Sequence, residues 1–184
     1  CSSTIAATEV KQLEMIGDFS ITLNDYIELI IGKTAILFAV ACSSAMVVAN
    51  ESSGIEESAY SFGLNLGIAF QIIDDIQDCF SSSSEISKES LQDLYEKKVT
   101  LPIIILKEEL NIEEQKKLKE VFSQGDVREM LELLRQGDAE AKSYNYAKLY
   151  LKKAIDSLNN ITSLNEEYKQ NLKILVNDLL HAKH

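Results

Sequence analysis

Residues 63–78 read GLNLGIAFQIIDDIQD. At about 3.6 residues per turn, Gln71, Asp74, Asp75 and Asp78 fall within an arc of about 100° on one side of a helix. The remaining circumference carries Ile68, Phe70, Ile72, Ile73 and Ile76. A solvated stripe does not carry so apolar a remainder, so the spacing predicts a helix inside a bundle with its acidic side on a cavity. Gly63 and Gly67 stand four residues apart in the same stretch. Glycine inside a helix costs up to about 1 kcal/mol relative to alanine, so the pair predicts close approach by a neighbouring helix, and packing alone suffices to explain it.

Working outward, Asn50, Ser52, Ser53 and Gly54 read as a turn. Ile55-Glu56-Glu57 opens the acidic helix, which is expected to run to about Cys79, and the polar run Ser81 to Ser84 reads as the loop after it. Upstream, Asp25 to Asn50 is helix-compatible and apolar on most faces, as in the central helix of a large bundle, so its centre is expected to be buried. Its uncharged part, Thr34 to Ala49, falls short of the ~20 residues that span a bilayer. The expectation is a buried helix and no transmembrane segment. Downstream, Pro102 suits the first turn of a helix, where its missing N–H costs little. Amphipathic helices are expected at 112–124, 127–136, 139–158 and 165–182, punctuated by Gly125-Asp126, Gly137-Asp138 and Asn159-Asn160.

Composition agrees with an all-α chain. A hydrophobic fraction of 46%, one proline and seven glycines suit long helices, and 184 residues can bury one core. A net charge of −11 excludes the basic footprint of a nucleic-acid binder. Cys1, Cys42 and Cys79 are odd in number and have no CxxC spacing, so neither a disulfide framework nor a zinc site is expected. Cys42, in an apolar stretch, is expected in the core. A reducing, cytoplasmic location fits this usage, and the sequence leaves an organellar targeting segment open.

Carboxylates that repel one another in a partly enclosed site need a counter-charge, and hard oxygen donors with room for water suit Mg²⁺. The alternative is a structural one, in which Asp74, Asp75 and Asp78 pair with Lys or Arg on a neighbouring helix. Mg²⁺ is commonly held by one or two carboxylates together with substrate phosphates, so the partner is expected to be a polyphosphate ester. An acidic chain that binds an anion also needs local cations. Lys33, Lys88 and Lys98 are the candidates, and Lys33 is the sharpest, because a lysine within an apolar helix must be paired, face a polar cavity or snorkel. Lys88 and Lys98 taken singly would read as surface residues.

The series Lys33-Thr34, then Gly63, Gly67, Phe70-Gln71 and Asp74-Asp75-Ile76-Gln77-Asp78, then Lys88, Asp93-Leu94 and Lys98-Val99-Thr100-Leu101-Pro102 resembles the polyprenyl synthetase family of trans-isoprenyl diphosphate synthases. Order and spacing both match from about Glu9 to Leu106, and the octaprenyl-type long-chain members look most similar. The resemblance implies a large antiparallel helical bundle of the isoprenoid synthase type, of which residues 1–184 are the carboxy-terminal part. It implies a homodimer and the condensation of isopentenyl diphosphate with an allylic diphosphate, the metal helping diphosphate leave before the isopentenyl double bond attacks and a proton is lost. By the same resemblance Asp74, Asp75 and Asp78 are the Mg²⁺ ligands and Lys33, Lys88 and Lys98 bind the diphosphate. Thr34 and Gln71 join Lys33 as catalytic residues near the reacting carbons, Phe70 packs on the isopentenyl unit, and Asp93 supports the site from behind. Two departures accompany the match. Thr8-Glu9-Val10-Lys11-Gln12 has threonine where the family pattern Gly-Glu-x-x-Gln has glycine, and the family's first Asp-rich motif with its arginines is absent. The chain by itself is therefore expected to be inactive, and the alternative function is a non-catalytic or regulatory subunit of a heteromeric synthase.

Overall fold

The computed structural model describes residues 2–80 and 91–180. Among these residues there is no strand, as the composition predicts. Helix α1 (Ser2–Met15) leads through a turn to α2 (Leu23–Ile30), whose start is set by a reciprocal cap: the Asp25 backbone N–H donates to Thr22 Oγ1, and the Thr22 N–H donates to Asp25 Oδ2 at 2.9 Å. The chain then makes one wide π-helical turn, Ile31–Ala35, and continues as α3 (Ile36–Val48). Helix α4 (Ser53–Phe80) carries the acidic stretch and ends close to where the spacing predicts.

A short helix α5 (Gln92–Tyr95) precedes α6 (Leu101–Glu109), with Pro102 in its first turn. Helices α7 (Ile112–Gln124), α8 (Val127–Gln136) and α9 (Ala139–Asn159) follow the sequence periodicity closely, and α10 (Glu166–Asp178) starts as expected but ends before the expected residue 182. Asn111 and Asp126 cap α7 and α8, and Gly125 ends α7 at φ 73°, a left-handed conformation that glycine adopts without strain.

Helix α4 lies between α3 on one side and α9 on the other. Its Ile72 and Ile76 belong to the same fully buried core as Leu101, Ile103, Ile104, Leu134 and Leu158. The glycine pair does what its spacing predicts. A Cβ at Gly63 would lie 2.3 Å from the Phe38 carbonyl oxygen, and one at Gly67 would lie 2.6 Å from the Ala35 Cα, so only glycine lets α4 lie this close to its neighbour. The threonine of the departing TEVKQ stretch is accommodated from the other side: a Cβ at Gly32 would lie 2.2 Å from Thr8 Oγ1, so Gly32 makes room for Thr8.

Two expectations for the 25–50 region change. Its centre is buried on one face only, through Ile30, Ala35 and Ala39, while Leu37 and Val47 are about half exposed at 49% and 54% and Val48 is exposed at 83%. Neighbouring helices cover the side toward α4 and leave the opposite side open. The length argument against a membrane span also fails, because the π-helical turn does not interrupt the helix: Leu23–Val48 is 26 residues, long and apolar enough to cross a bilayer. What ties it into the bundle is a set of polar bonds to α1 and α4. Cys42 is half-buried, not in the core, and Cys79 is buried.

Candidate functional site

The close contact at Gly63 and Gly67 places the π-helical turn against the middle of α4, and the two backbones bring polar side chains face to face. Thr34 Oγ1 donates to Gln71 Oε1 at 2.7 Å. The Gln71 amide in turn donates to Asp75 Oδ1 at 2.9 Å and to Asp74 Oδ2 at 3.1 Å. Tyr26, buried on α2, donates its phenol O–H to Asp75 Oδ2 at 2.6 Å. A continuous hydrogen-bonded chain thus runs from Thr34 through Gln71 to the two aspartates and on to Tyr26.

The three aspartates share one side of α4 without converging. Asp74 is exposed, whereas Asp75 is only 6% exposed and lies under α2. Burial pushes the Asp75 carboxyl up to about 7, against the lowering effect of the Tyr26 hydrogen bond, and the same burial, with Asp75 beside it, raises the Tyr26 phenol well above its ordinary value. Asp78 turns toward α5: its carboxylate accepts the backbone N–H of Gln92 at 3.2 Å and of Asp93 at 3.0 Å. Burial still leaves Asp78 above the usual carboxylate range, although the Asp93 N–H pulls it down. Among the described residues no three carboxylate, imidazole or thiol side chains come together as a metal cage, and none of these aspartates forms an ion pair with Lys or Arg. The arc on the helix was correct, but adjacent residues 74 and 75 point about 100° apart. The packing of α2 covers one and leaves the other open.

Lys33 and Lys98 meet different partners. Lys33 sits in the π-helical turn, half-buried, and donates to Gln12 Oε1 on α1 at 3.1 Å. A single wide turn of this kind inside an α-helix is frequent at functional sites. Lys98 lies 2.9 Å from Asp93 and 2.7 Å from Glu96. Burial pulls the Lys98 pKa down, but its hydrogen bonds to Glu96 and Asp93 more than reverse this and hold it above the ordinary lysine range. Asp93 therefore joins Asp78, through its backbone N–H, to Lys98, through its carboxylate. Phe70 packs against Phe38 with ring centroids 5.5 Å apart. Lys88 lies outside the described residues, as does the serine loop.

Sequence reasoning missed Tyr26, Glu96 and the π-helical turn, and it placed Gln12 in the family pattern without its bond to Lys33. Tyr26 had a signal: it stands seven residues, about two helical turns, before Lys33 in a stretch apolar on most faces, and a buried phenol needs a partner. The others depend on which helices meet, which no local pattern reports.

This geometry can be set beside known proteins. The model of the polyprenyl synthetase family matches residues 1–136. The chain belongs to that family. It is 32% identical over 175 residues to an octaprenyl diphosphate synthase of Haemophilus influenzae, a match covering 93% of this chain and 53% of the relative. It is 33% identical over 178 residues to a geranylgeranyl diphosphate synthase of Sulfolobus acidocaldarius, again covering 93% of this chain and 53% of the relative. Among solved structures, a polyprenyl synthase from Caulobacter crescentus, complexed with calcium and isoprenyl diphosphate, superposes with a TM-score of 0.87 at 28% identity. That superposition covers 100% of this chain and 57% of the other. A decaprenyl diphosphate synthase from Rhodobacter capsulatus gives 0.86 at 27% identity, covering 98% of this chain and 56% of that one. The chain thus spans about half the length of the polyprenyl synthetases to which it is similar.

Proposed function

We propose that this polyprenyl synthetase chain forms one wall of a trans-prenyltransferase site that condenses isopentenyl diphosphate with an allylic diphosphate. The observation that carries the reading is the hydrogen-bonded chain from Thr34 through Gln71 to exposed Asp74, on helices whose glycine contact holds them together. Family membership and relatives named as prenyl diphosphate synthases support it.

The donor set suits Mg²⁺. Asp74 offers an open, hard oxygen donor, and Mg²⁺ commonly needs only one or two carboxylates when phosphates complete its shell. Bound there, the metal would stabilise the negative charge of the departing diphosphate. Asp75 and Asp78 act behind it, the first fixed by Tyr26 and Gln71 and the second capping α5. Lys33 and Lys98 attract the diphosphate, Lys98 exchanging a carboxylate for it. Lys88 is assigned the same part from the resemblance. The Thr34 hydroxyl gives its one proton to Gln71, so it offers only lone pairs to anything else, which suits a developing allylic cation. Phe70 supplies an apolar aromatic wall for the isopentenyl unit.

Turnover on this reading needs a second set of metal-binding carboxylates, which these 184 residues do not contain, so the chain alone is expected to bind without elongating. The working form is taken to be a homodimer, which light scattering of the natural full-length protein would test. The activity test incubates that protein with isopentenyl diphosphate, farnesyl diphosphate and Mg²⁺ and separates the prenyl products by chain length. Elongated product is expected, and Asp74→Ala is expected to lower its formation by about 10²-fold or more. Full product formation by Asp74→Ala, or none by the unaltered protein, would overturn the proposal.

A further inference from the structure

The polar chain between α2, the π-helical turn and α4 has a direction, and that direction has one origin. Tyr26 is 2% exposed and its phenol O–H donates to Asp75 Oδ2. The other Asp75 oxygen is buried as well and takes an N–H from Gln71 at 2.9 Å. An amide has its donors on one end and its acceptor on the other, so a glutamine that points its NH₂ at Asp75 must turn its oxygen the opposite way. That oxygen receives the Thr34 proton, and the second amide N–H reaches Asp74. The orientation of every member therefore follows from Asp75 being held as an acceptor in this place, and the tie that holds it there from another helix is the Tyr26 hydroxyl.

We propose that Tyr26 is a positioning residue. Through Asp75 it sets the orientation of the Gln71 amide, and thereby both the placement of the Asp74 carboxylate for a metal–diphosphate ligand and the acceptor-only state of Thr34. Tyr26 itself touches no substrate. Its distance in sequence from Asp75, 49 residues, is spanned only in the folded chain. Loss of the hydroxyl leaves Asp75 Oδ2 buried without its donor, and a buried orphan acceptor drives rearrangement of whatever can turn toward it. The group able to turn is the Gln71 amide, at the expense of its bond to Asp74.

The inference rests on the proposed function of Asp74, and the experiment separates the two. Binding of inorganic pyrophosphate in the presence of Mg²⁺ is measured by calorimetry in the natural full-length protein and in Tyr26→Phe, Asp75→Asn, their double variant and Asp74→Ala. Tyr26→Phe is expected to weaken pyrophosphate binding about tenfold, in line with the loss of one buried hydrogen bond. Asp75→Asn should do about the same without touching Tyr26: an amide that keeps its oxygen on the phenol presents NH₂ to NH₂ at Gln71, and Gln71 must flip. The double variant should be no weaker than either single one, because all act through the same amide. If either single variant is too unstable to assay, the other carries the comparison with Asp74→Ala.

Binding by Tyr26→Phe or Asp75→Asn at the level of the unaltered protein, even with a lowered melting temperature, would overturn the positioning role and leave Tyr26 as packing only. Additive losses in the double variant would overturn it too. An Asp74→Ala variant that binds as well as the parent, or a parent that does not bind, removes the Asp74 reading and the positioning proposal with it.

Discussion

Replacing Gly63 by alanine tests the contact that brings the two halves of the site together. The added Cβ would lie 2.3 Å from the Phe38 carbonyl oxygen, 2.7 Å from its carbon and 2.9 Å from the Ala39 Cα. All three atoms are backbone, so no side chain can swing away, and the helices must part by roughly 1 Å to reach van der Waals separation. Overpacking costs about 1–3 kcal/mol, and three backbone atoms met at once put this site in the upper part of that range, about 2–3 kcal/mol, against which alanine regains about 1 kcal/mol of helix propensity. A net loss of about 1–2 kcal/mol is expected, which for a chain of this size lowers the melting temperature by roughly 2–8 °C. The same separation stretches the 2.7 Å bond between Thr34 and Gln71. Gly54→Ala in the first turn of the same helix is the control, since a Cβ there meets nothing within 4 Å. It is expected to leave the protein as stable or up to ~1 kcal/mol more so. Thermal unfolding followed by circular dichroism reads both. A Gly63→Ala protein that melts at or above the parent would refute the close-packing argument, because propensity would then outweigh contact.

Asp75 gives a pH dependence with a definite sign. Its folded pKa of about 7 exceeds the ordinary 3.8, so the folded state holds this proton more tightly. The contribution is full below about pH 4 and lost as pH rises through 7, with an upper bound of about 4 kcal/mol. Urea unfolding at pH 5 and pH 8 should show the parent losing stability with pH and Asp75→Asn losing distinctly less. Lys107 donates to the carbonyls of Phe19 and Ile21 and lies over the Phe19 ring, fastening the turn before α2 to α6. Lys107→Met is expected to cost about 2 kcal/mol and to speed amide exchange in residues 17–21, and unchanged exchange there would sink this assignment. Glu96 holds Lys98 at 2.7 Å from an exposed position. Glu96→Gln should tighten pyrophosphate binding by roughly two- to fivefold, the worth of an exposed ion pair, and calorimetry would show no change if Lys98 plays no part.

The helix boundaries of the carboxy-terminal part were legible because their signals are local. Asn111 and Asp126 cap, Gly125 stops, and apolar spacing marks the buried side of each helix. The glycine pair was legible for a similar reason, since an energetic cost within one helix implies a contact that repays it. The exposed side of α3 was misjudged because apolar composition shows what a helix could bury and says nothing of how many neighbours it has. The membrane argument failed on a different ground: it measured the uncharged run, and the helix continues through Lys33 in the π-helical turn.

By itself, the order of residues determined the all-α class, the family resemblance and the side of α4 on which the acidic residues lie, because each depends on periodicity or spacing along one chain. Only the tertiary structure decided how the three aspartates divide. Asp74 stays open, Asp75 is buried against Tyr26, and Asp78 caps α5. Helical geometry places side chains around one axis, but exposure and partners are set by which other helix covers each direction. That is a property of packing between residues far apart in sequence.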